Sequence, residues 1–456
     1  MRPWVVSGEH PGLQLTLRQL GREFAGLGHD LWEMIGREQP YAPETDGAIW
    51  ITPVLVTPSG GTPYYVIPYA VTGGAGADVI IGAARNVLGG DGDDVILPDN
   101  TASSERLDGG AGDDFVAGDY GANVLIGGTG DDTLAGGGAD DRLYGGGGAN
   151  LLSGGAGNDW LSVRGLDAHR GGETADAAWI AAKRLVGDGL HGGLGDDTLL
   201  GSYGADTLTG GEGADRLDGN DGDDLLVGGG GQDRIDGGDG ADRIEDEGEG
   251  GAIRGGWGDD VIRVAAGTGS RWTIAGGGGD DAIDCGAGAD RVDGGRGADV
   301  LRLGAGDDVA TAVEGQGAGD DLIFGEAGRD RLSGGFGRDT LDGGAGDDRL
   351  HGGARDDLLI GGAGADVFVQ RDLGGIDTIA DFGPGDRLEI ARGVNGLLLE
   401  ERADLAARAF LGADYAWIDL DGALPAMGPD GGQGIVLRGV EAARLSEILD
   451  HFVDIV

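Results

Sequence analysis

One aliphatic position returns every nine residues along most of this chain, each time two places after a short polar side chain. The pattern starts at Gly73 with GGAGADVII (73–81), and the next clear unit is GGDGDDVIL (89–97). Runs without gaps cover 109–162 and 192–245, with units such as GGTGDDTLA (127–135) and GGEGADRLD (210–218). A single unit follows at 255–263, and the pattern resumes at 276–311 and 316–369, giving about 25 units in register. The eighth residue is Ile, Leu, Val or Phe in every unit except one, where it is Ala310; the sixth is Asp except at Asn123 and Asn150. Each nonapeptide divides into a six-residue turn and a three-residue strand whose eighth residue points inward. Two nonapeptides make one coil. Stacked coils give an all-β fold, a parallel β-roll of two sheets around a thin aliphatic core.

The flanks read differently. Leu13, Leu17, Leu20, Phe24, Leu27, Leu31 and Ile35 are spaced by three and four, as on an amphipathic helix. Apolar runs at Ala48–Thr57 and Tyr64–Thr72 flank a Pro-Gly-rich turn and predict a hairpin, with Pro53 and Pro68 restricting the strands to edges or bulges. Residues 1–72 are thus expected to be a small α/β cap, since a solenoid needs capped ends. Residues 73–369 form the roll, with insertions near 163–191, 246–254 and 264–275. The first insertion carries a candidate helix at Glu173–Leu185; the other two read as bulged loops. Residues 370–456 predict a β-rich cap, with strands at Tyr415–Leu420 and Gly434–Leu437 and a helix at Glu441–Phe452.

Composition narrows the chemistry. The chain has 104 glycines among 456 residues, while Phe, Trp and Tyr make only 5 %. Glycine buries no side chain and loses the most freedom on ordering, so something besides a packed core must order it. Acidic residues number 81 against 32 basic ones, for a net charge of −49. That field excludes nucleic acid and anionic membranes as partners and calls for bound cations. The lone cysteine, Cys285, excludes an internal disulfide framework and a Cys-based zinc site. No run approaches the roughly 18 apolar residues of a membrane span.

Within the turn, glycines at positions one, two and four open backbone conformations closed to other residues and let carbonyls approach an ion. The sixth-position carboxylate adds a hard oxygen ligand, suited to calcium. Here the repeat resembles that of the RTX (hemolysin-type) calcium-binding proteins, G-G-x-G-x-D-x-U-x, over roughly residues 73–369. The resemblance implies a right-handed calcium-binding β-roll, with ions between turns stacked on one side, held by repeat aspartates and backbone carbonyls. By position, the ligands would be Asp114, Asp132, Asp141 and Asp159 in the first run. The second would supply Asp197, Asp206, Asp215, Asp224, Asp233 and Asp242. The third would give Asp281, Asp290, Asp299 and Asp308, and the last Asp321, Asp330, Asp339, Asp348, Asp357 and Asp366. Asp78, Asp94 and Asp260 belong to isolated units with fewer neighbours. Asn123 and Asn150 keep an oxygen but lose the charge, weakening their sites. With turns i and i+2 needed for each site, roughly 14 ions (a range of about 10–18) would fill the roll. The fifth-position aspartates Asp93, Asp113, Asp131 and Asp223 read as a solvated acidic face.

The segment Gly375-Ile376-Asp377-Thr378-Ile379-Ala380-Asp381-Phe382, with Gly385-Asp386-Arg387-Leu388, resembles the closing segment of RTX rolls in serralysin-like proteases, where Asp377 or Asp381 would hold a last ion. The ending Phe452-Val453-Asp454-Ile455-Val456 resembles an uncleaved type I secretion signal. Met1–Val6 lacks the apolar region of a cleavable signal peptide, so the expected route is type I machinery reading the C-terminus into the extracellular space. No H-E-x-x-H or G-x-S-x-G motif occurs, and His10, His29, His169, His191, His351 and His451 lack partners at ligand spacing. The expectation is a secreted, non-catalytic calcium-binding protein that folds on calcium outside the cell. Its role would lie at a surface, in a matrix or in adhesion, with surface polysaccharide or self-association as its partner. The alternative is a calcium-dependent extracellular enzyme with an unfamiliar site in residues 1–72 or 163–191.

Overall fold

A computed structural model describes residues 71–82, 86–98, 106–163, 187–264, 270–311, 319–371 and 375–391, with short pieces at 48–51, 54–56 and 64–66 and between 409 and 455. The expected helices over 13–35 and Glu173–Leu185 lie outside the described residues. The chain forms two compact units, 1–197 and 198–456.

In the first unit a three-residue strand is too short to stand alone, and it is completed by a parallel neighbour on each side. Leu125 pairs with Leu107 before it and Leu143 after it, so the pairing interval here is eighteen residues, two nonapeptides. One sheet runs from Val71–Ala75 through Asn86–Asp91, Arg106–Ala111, Val124–Thr129 and Arg142–Gly147 to Trp160–Ser162. The other runs from Ala48–Ile51 through Val79–Gly82, Val95–Leu97, Phe115–Ala117, Thr133–Gly138 and Leu151–Ala156 to Gly189–Leu194. Val54–Val56 pairs antiparallel with Tyr64–Val66.

Eighth-position side chains stack within each sheet and fill the core: Leu125, Leu143 and Leu161 in one, Val116, Leu134 and Leu152 in the other, all 0 % exposed. That core is meagre. Burying one leucine contributes roughly 1.5–3 kcal/mol, while ordering the nine backbones of its unit costs about 9 kcal/mol or more. The rest must come from the sheet hydrogen bonds and from whatever binds the turns.

The second unit repeats this plan from Thr198–Leu200 to Arg387–Ile390 in one sheet and from Thr207–Glu212 to Ile376–Ile379 in the other. It differs from the sequence expectation in three places. Residues 246–254 are a coil segment in register, not a bulged loop: Ile253 is buried at the eighth position and pairs with Ile235 and Ile274. Arg271–Gly278 is likewise a strand, paired with Gly250–Trp257. The roll also continues past residue 369, because Ile379 pairs with Leu359 and Leu388 with Phe368 at the same inward position. The sheets then end differently. Gly434–Arg438 adds in parallel to Ile376–Ile379 and carries the antiparallel strands Tyr415–Asp419 and Ala409–Leu411, whereas Val453–Ile455 adds in parallel to Arg387–Ile390. Of the expected helix at Glu441–Phe452, only Leu445, Ile448 and Leu449 are described, as helical and buried. Among the described residues, no helix is long and apolar enough to cross a membrane.

Candidate metal centre

The sixth-position aspartates form a ladder along the turns. One oxygen of each carboxylate accepts the backbone N–H of the sixth residue one coil earlier: Asp114 N–H donates to Asp132 Oδ1 at 2.9 Å, and Asp224 N–H to Asp242 Oδ1 at 2.8 Å. The same bond reaches Asp94, Asp141, Asp159, Asp197, Asp233, Asp260, Asp281 and Asp299. It reaches Asp321, Asp330, Asp339, Asp348, Asp357 and Asp366 as well. Asp206 also accepts the Ser202 N–H through Oδ2 at 2.6 Å. These residues, with Asp78 and Asp215, are all buried, none more than 7 % exposed.

The second oxygen is the informative one. Oδ2 of Asp114, Asp132, Asp141, Asp224, Asp281 and Asp330, among others, is buried without a hydrogen-bond partner. A buried charged oxygen left so is costly, by several kcal/mol, unless a cation or proton compensates it. Without a cation, burial pushes Asp132 and Asp141 up to about 8 and Asp224 up to about 9, against the lowering effect of the backbone N–H bond. Neighbouring carboxylates raise them further.

The first-position glycines show what these oxygens surround. A Cβ on Gly127 would stand 2.3 Å from Asp132 Oδ2 and 2.5 Å from the Gly145 carbonyl oxygen; on Gly276 it would stand 2.3 Å from Asp281 Oδ2 and 2.4 Å from Gly294 O. Glycine therefore keeps open a small space on which a carboxylate and a carbonyl oxygen converge. Among the described residues no three His, Cys, Asp or Glu side chains gather on one point, so backbone carbonyls must complete any ligand set. An all-oxygen set with one or two carboxylates suits calcium and not zinc.

The two Asn units differ from the others by more than charge. Asn150 Oδ1 accepts the Asp132 N–H at 3.0 Å, which leaves the Nδ2 donor facing Gly145, where the other units place Oδ2. Asn123 Nδ2 donates to Gly121 O at 2.5 Å and to Asp119 Oδ1 at 3.1 Å. Each amide thus directs N–H toward the cradle, filling it with a donor where a cation needs an acceptor.

One column of turns in the second unit loses the pattern. Its sixth position is Gly251 and then Trp272, and its first position is Cys285 and then Leu303. Trp272 is 1 % exposed, and Cys285 and Leu303 are fully buried. Asp290 accepts the Trp272 N–H at 2.8 Å and Asp308 the Asp290 N–H at 2.7 Å, so both stay in the ladder. Beside them, however, Cys285 and Leu303 carry side chains where glycine leaves a cradle open elsewhere. Burial, then the nearby Asp290 and Asp308, holds the Cys285 thiol well above the usual thiol range.

Asp188 and Asp386 were missed in the sequence, while Asp377 was one of the two aspartates expected to hold a last ion. Asp188, Asp377 and Asp386 continue the ladder, accepting N–H groups from Asn150 (2.7 Å), Asp357 (3.2 Å) and Asp366 (3.1 Å). The signal was there, an aliphatic residue two places on (Leu190, Ile379, Leu388), but the leading glycines are missing. Asp381 instead accepts the N–H groups of Gly361 and Gly362 at 3.0 and 2.8 Å. The fifth-position aspartates are not merely a solvated face. Asp93, Asp113, Asp131 and Asp223 are bonded by the N–H groups of Asp113, Asp131, Ala149 and Ala241, at 2.8–3.0 Å. Their bonds run opposite to the sixth-position ladder, each reaching one coil forward.

The RTX calcium-binding nonapeptide repeat matches residues 99–134, 126–161, 191–226, 218–245, 275–310, 317–341 and 342–369. No curated protein matches the chain. Among solved structures, the extracellular lipase LipA from Serratia marcescens is similar at 18 % identity and a TM-score of 0.19, over 68 % of this chain and 45 % of the lipase. The chain therefore spans less than half the length of that protein.

Proposed function

Because this chain carries RTX calcium-binding nonapeptide repeats and binds calcium through them, we propose that calcium binding is its folding reaction and that it works outside the cell without catalysis. The observation that carries this reading is the row of buried, unpartnered Oδ2 atoms. When bound, calcium supplies the positive charge that these oxygens lack. The sixth-position aspartates would be its side-chain ligands, with first-position carbonyls such as Gly145 O and Gly294 O beside them. Oδ1 of each carboxylate stays on the preceding coil, so filling one turn fixes its neighbour. In the cytosol, where calcium is scarce, the ladder repels itself and the chain stays open for export by type I machinery. Outside, sites of the extracellular-module class, with Kd of about 10⁻⁴–10⁻³ M, would fill and fold the roll.

The folded product is an acidic scaffold suited to a surface, matrix or adhesive role. The test is a calcium titration of metal-stripped protein followed by far-UV circular dichroism, with magnesium as control. A cooperative gain of β-structure near millimolar calcium and none with magnesium is expected. A full β signal before calcium is added would defeat the proposal.

A further inference from the structure

Asp246 stands where the repeat keeps its first glycine, outside the set of aspartates marked by the nonapeptide. Its Oδ1 accepts the Gly248 N–H at 2.8 Å, which leaves Oδ2 to face inward. There it meets Asp233: a Cβ on Gly228 would stand 2.6 Å from Asp246 Oδ2 and 2.7 Å from Asp233 Oδ2. One coil earlier, at Gly210, the corresponding second oxygen is the carbonyl of Gly228, at 2.6 Å. A neutral carbonyl has been exchanged for a carboxylate. Asp246 and Asp233 are 1 % and 2 % exposed, and the two Oδ2 atoms face each other with no N–H donor to either, so only a shared proton or a cation can bridge them. Burial, with Asp233 beside it, pushes Asp246 up to about 7.

The neighbourhood explains why the exchange falls here. The next two sixth positions in this column are Gly251 and Trp272, and neither has a side-chain oxygen. The Trp272 ring closes the column, since a Cβ on Gly251 would lie 3.2 Å from its edge and 2.4 Å from the Asp233 carbonyl. The coil after Asp233 therefore brings no sixth-position carboxylate to this column. Asp246 brings one from the first position, where other coils offer only a carbonyl.

We propose that Asp233 and Asp246 together hold a divalent hard cation, calcium first, in a two-carboxylate site that ends this ion column against Trp272. The proposal rests on the calcium reading above and adds a ligand that the repeat does not predict. Its extra carboxylate makes the site tighter than one built on a carbonyl, because charge count tunes calcium affinity.

The test uses the full chain, stripped of metal and titrated with calcium chloride. The local signal is the fluorescence lost on Trp272→Phe, followed beside far-UV circular dichroism. Asp246→Gly installs the residue that other units carry, so the coil can still close; Asp246→Asn keeps the size. Both variants are expected to move the Trp272 midpoint to about tenfold higher calcium while the dichroism midpoint stays in place. An unchanged Trp272 midpoint in both overturns the proposal. So does an equal shift of both midpoints, which would make Asp246 merely structural. A parent chain whose dichroism ignores calcium sinks the calcium reading itself, a result distinct from either.

Discussion

Metal-free protein should fold in acid and unfold as the pH rises, the reverse of ordinary acid denaturation. Asp132 shows why. Its carboxyl is 1 % exposed, and without a cation burial raises it from 3.8 to about 8. Below about pH 4 the group is protonated in both folded and unfolded chains, and burying it costs no charge. Between 4 and 8 the folded chain keeps a proton that the unfolded chain has released, so stability falls steadily. Above 8 the full penalty applies. At about 1.4 kcal/mol for each pH unit, the span corresponds to roughly 6 kcal/mol from this residue alone. Asp141 and Asp281 rise to about 8 and Asp224 to about 9 for the same reason. A typical domain has only about 5–15 kcal/mol of net stability, so a few such groups exhaust it by neutral pH. The assay is far-UV circular dichroism of exhaustively dialysed protein from pH 3 to 9, repeated with millimolar calcium. The expected metal-free curve shows β-structure in acid that fades toward neutrality, with calcium restoring it at pH 7. Metal-free protein that keeps full β-structure at pH 8 would show that the orphaned oxygens carry no such cost.

Three further outcomes follow from the turns. Gly127→Ala places a methyl 2.3 Å from Asp132 Oδ2 and should weaken calcium binding in its run by about tenfold or more; Gly128→Ala should be worse, since its φ is +122° and its Cβ would meet Gly110 O at 1.9 Å. Isothermal titration of both variants would decide. Asn150→Asp replaces an inward N–H donor with an oxygen and should add bound calcium, measured by equilibrium dialysis against the parent. Cys285, fully buried, should resist thiol reagents in calcium and react within minutes once the protein is stripped at neutral pH; equal labelling in both states would contradict the coupling of calcium to burial.

The sequence revealed whatever repeats. Positions six and eight were legible because each performs one fixed task in every coil, the carboxylate beside the cradle and the side chain in the core. The coil at 246–254 escaped notice, and 375–389 was read as a closing segment outside the repeat, because both keep the inward residues Ile253, Ile379 and Leu388 but not the leading glycines. The fifth-position bonds left no trace, since Asp131 is held by the main chain of Ala149, eighteen residues away, and any residue there would donate equally well. The direction of the Asn150 amide depends on which atom the Asp132 N–H engages, a choice made only when coils stack. Asp246 lay hidden for a different reason. It matters only because Gly251 and Trp272, further along the chain, break the column it closes.

The eighteen-residue pairing interval also governs how such a chain can change in length. Removing two nonapeptides, such as 228–245, keeps every later turn in its own column, so the ladders rejoin with their partners. Removing one, such as 237–245, exchanges the columns for everything downstream. The stretch with Gly251, Trp272, Cys285 and Leu303 would then fall in line with turns such as Gly219 and Asp224, whose present continuation through Asp242, Asp260 and Asp281 is unbroken. Lineages of this protein should therefore gain and lose whole coils far more readily than halves. The residues from 246 to 311 act as a phase marker that makes odd changes costly.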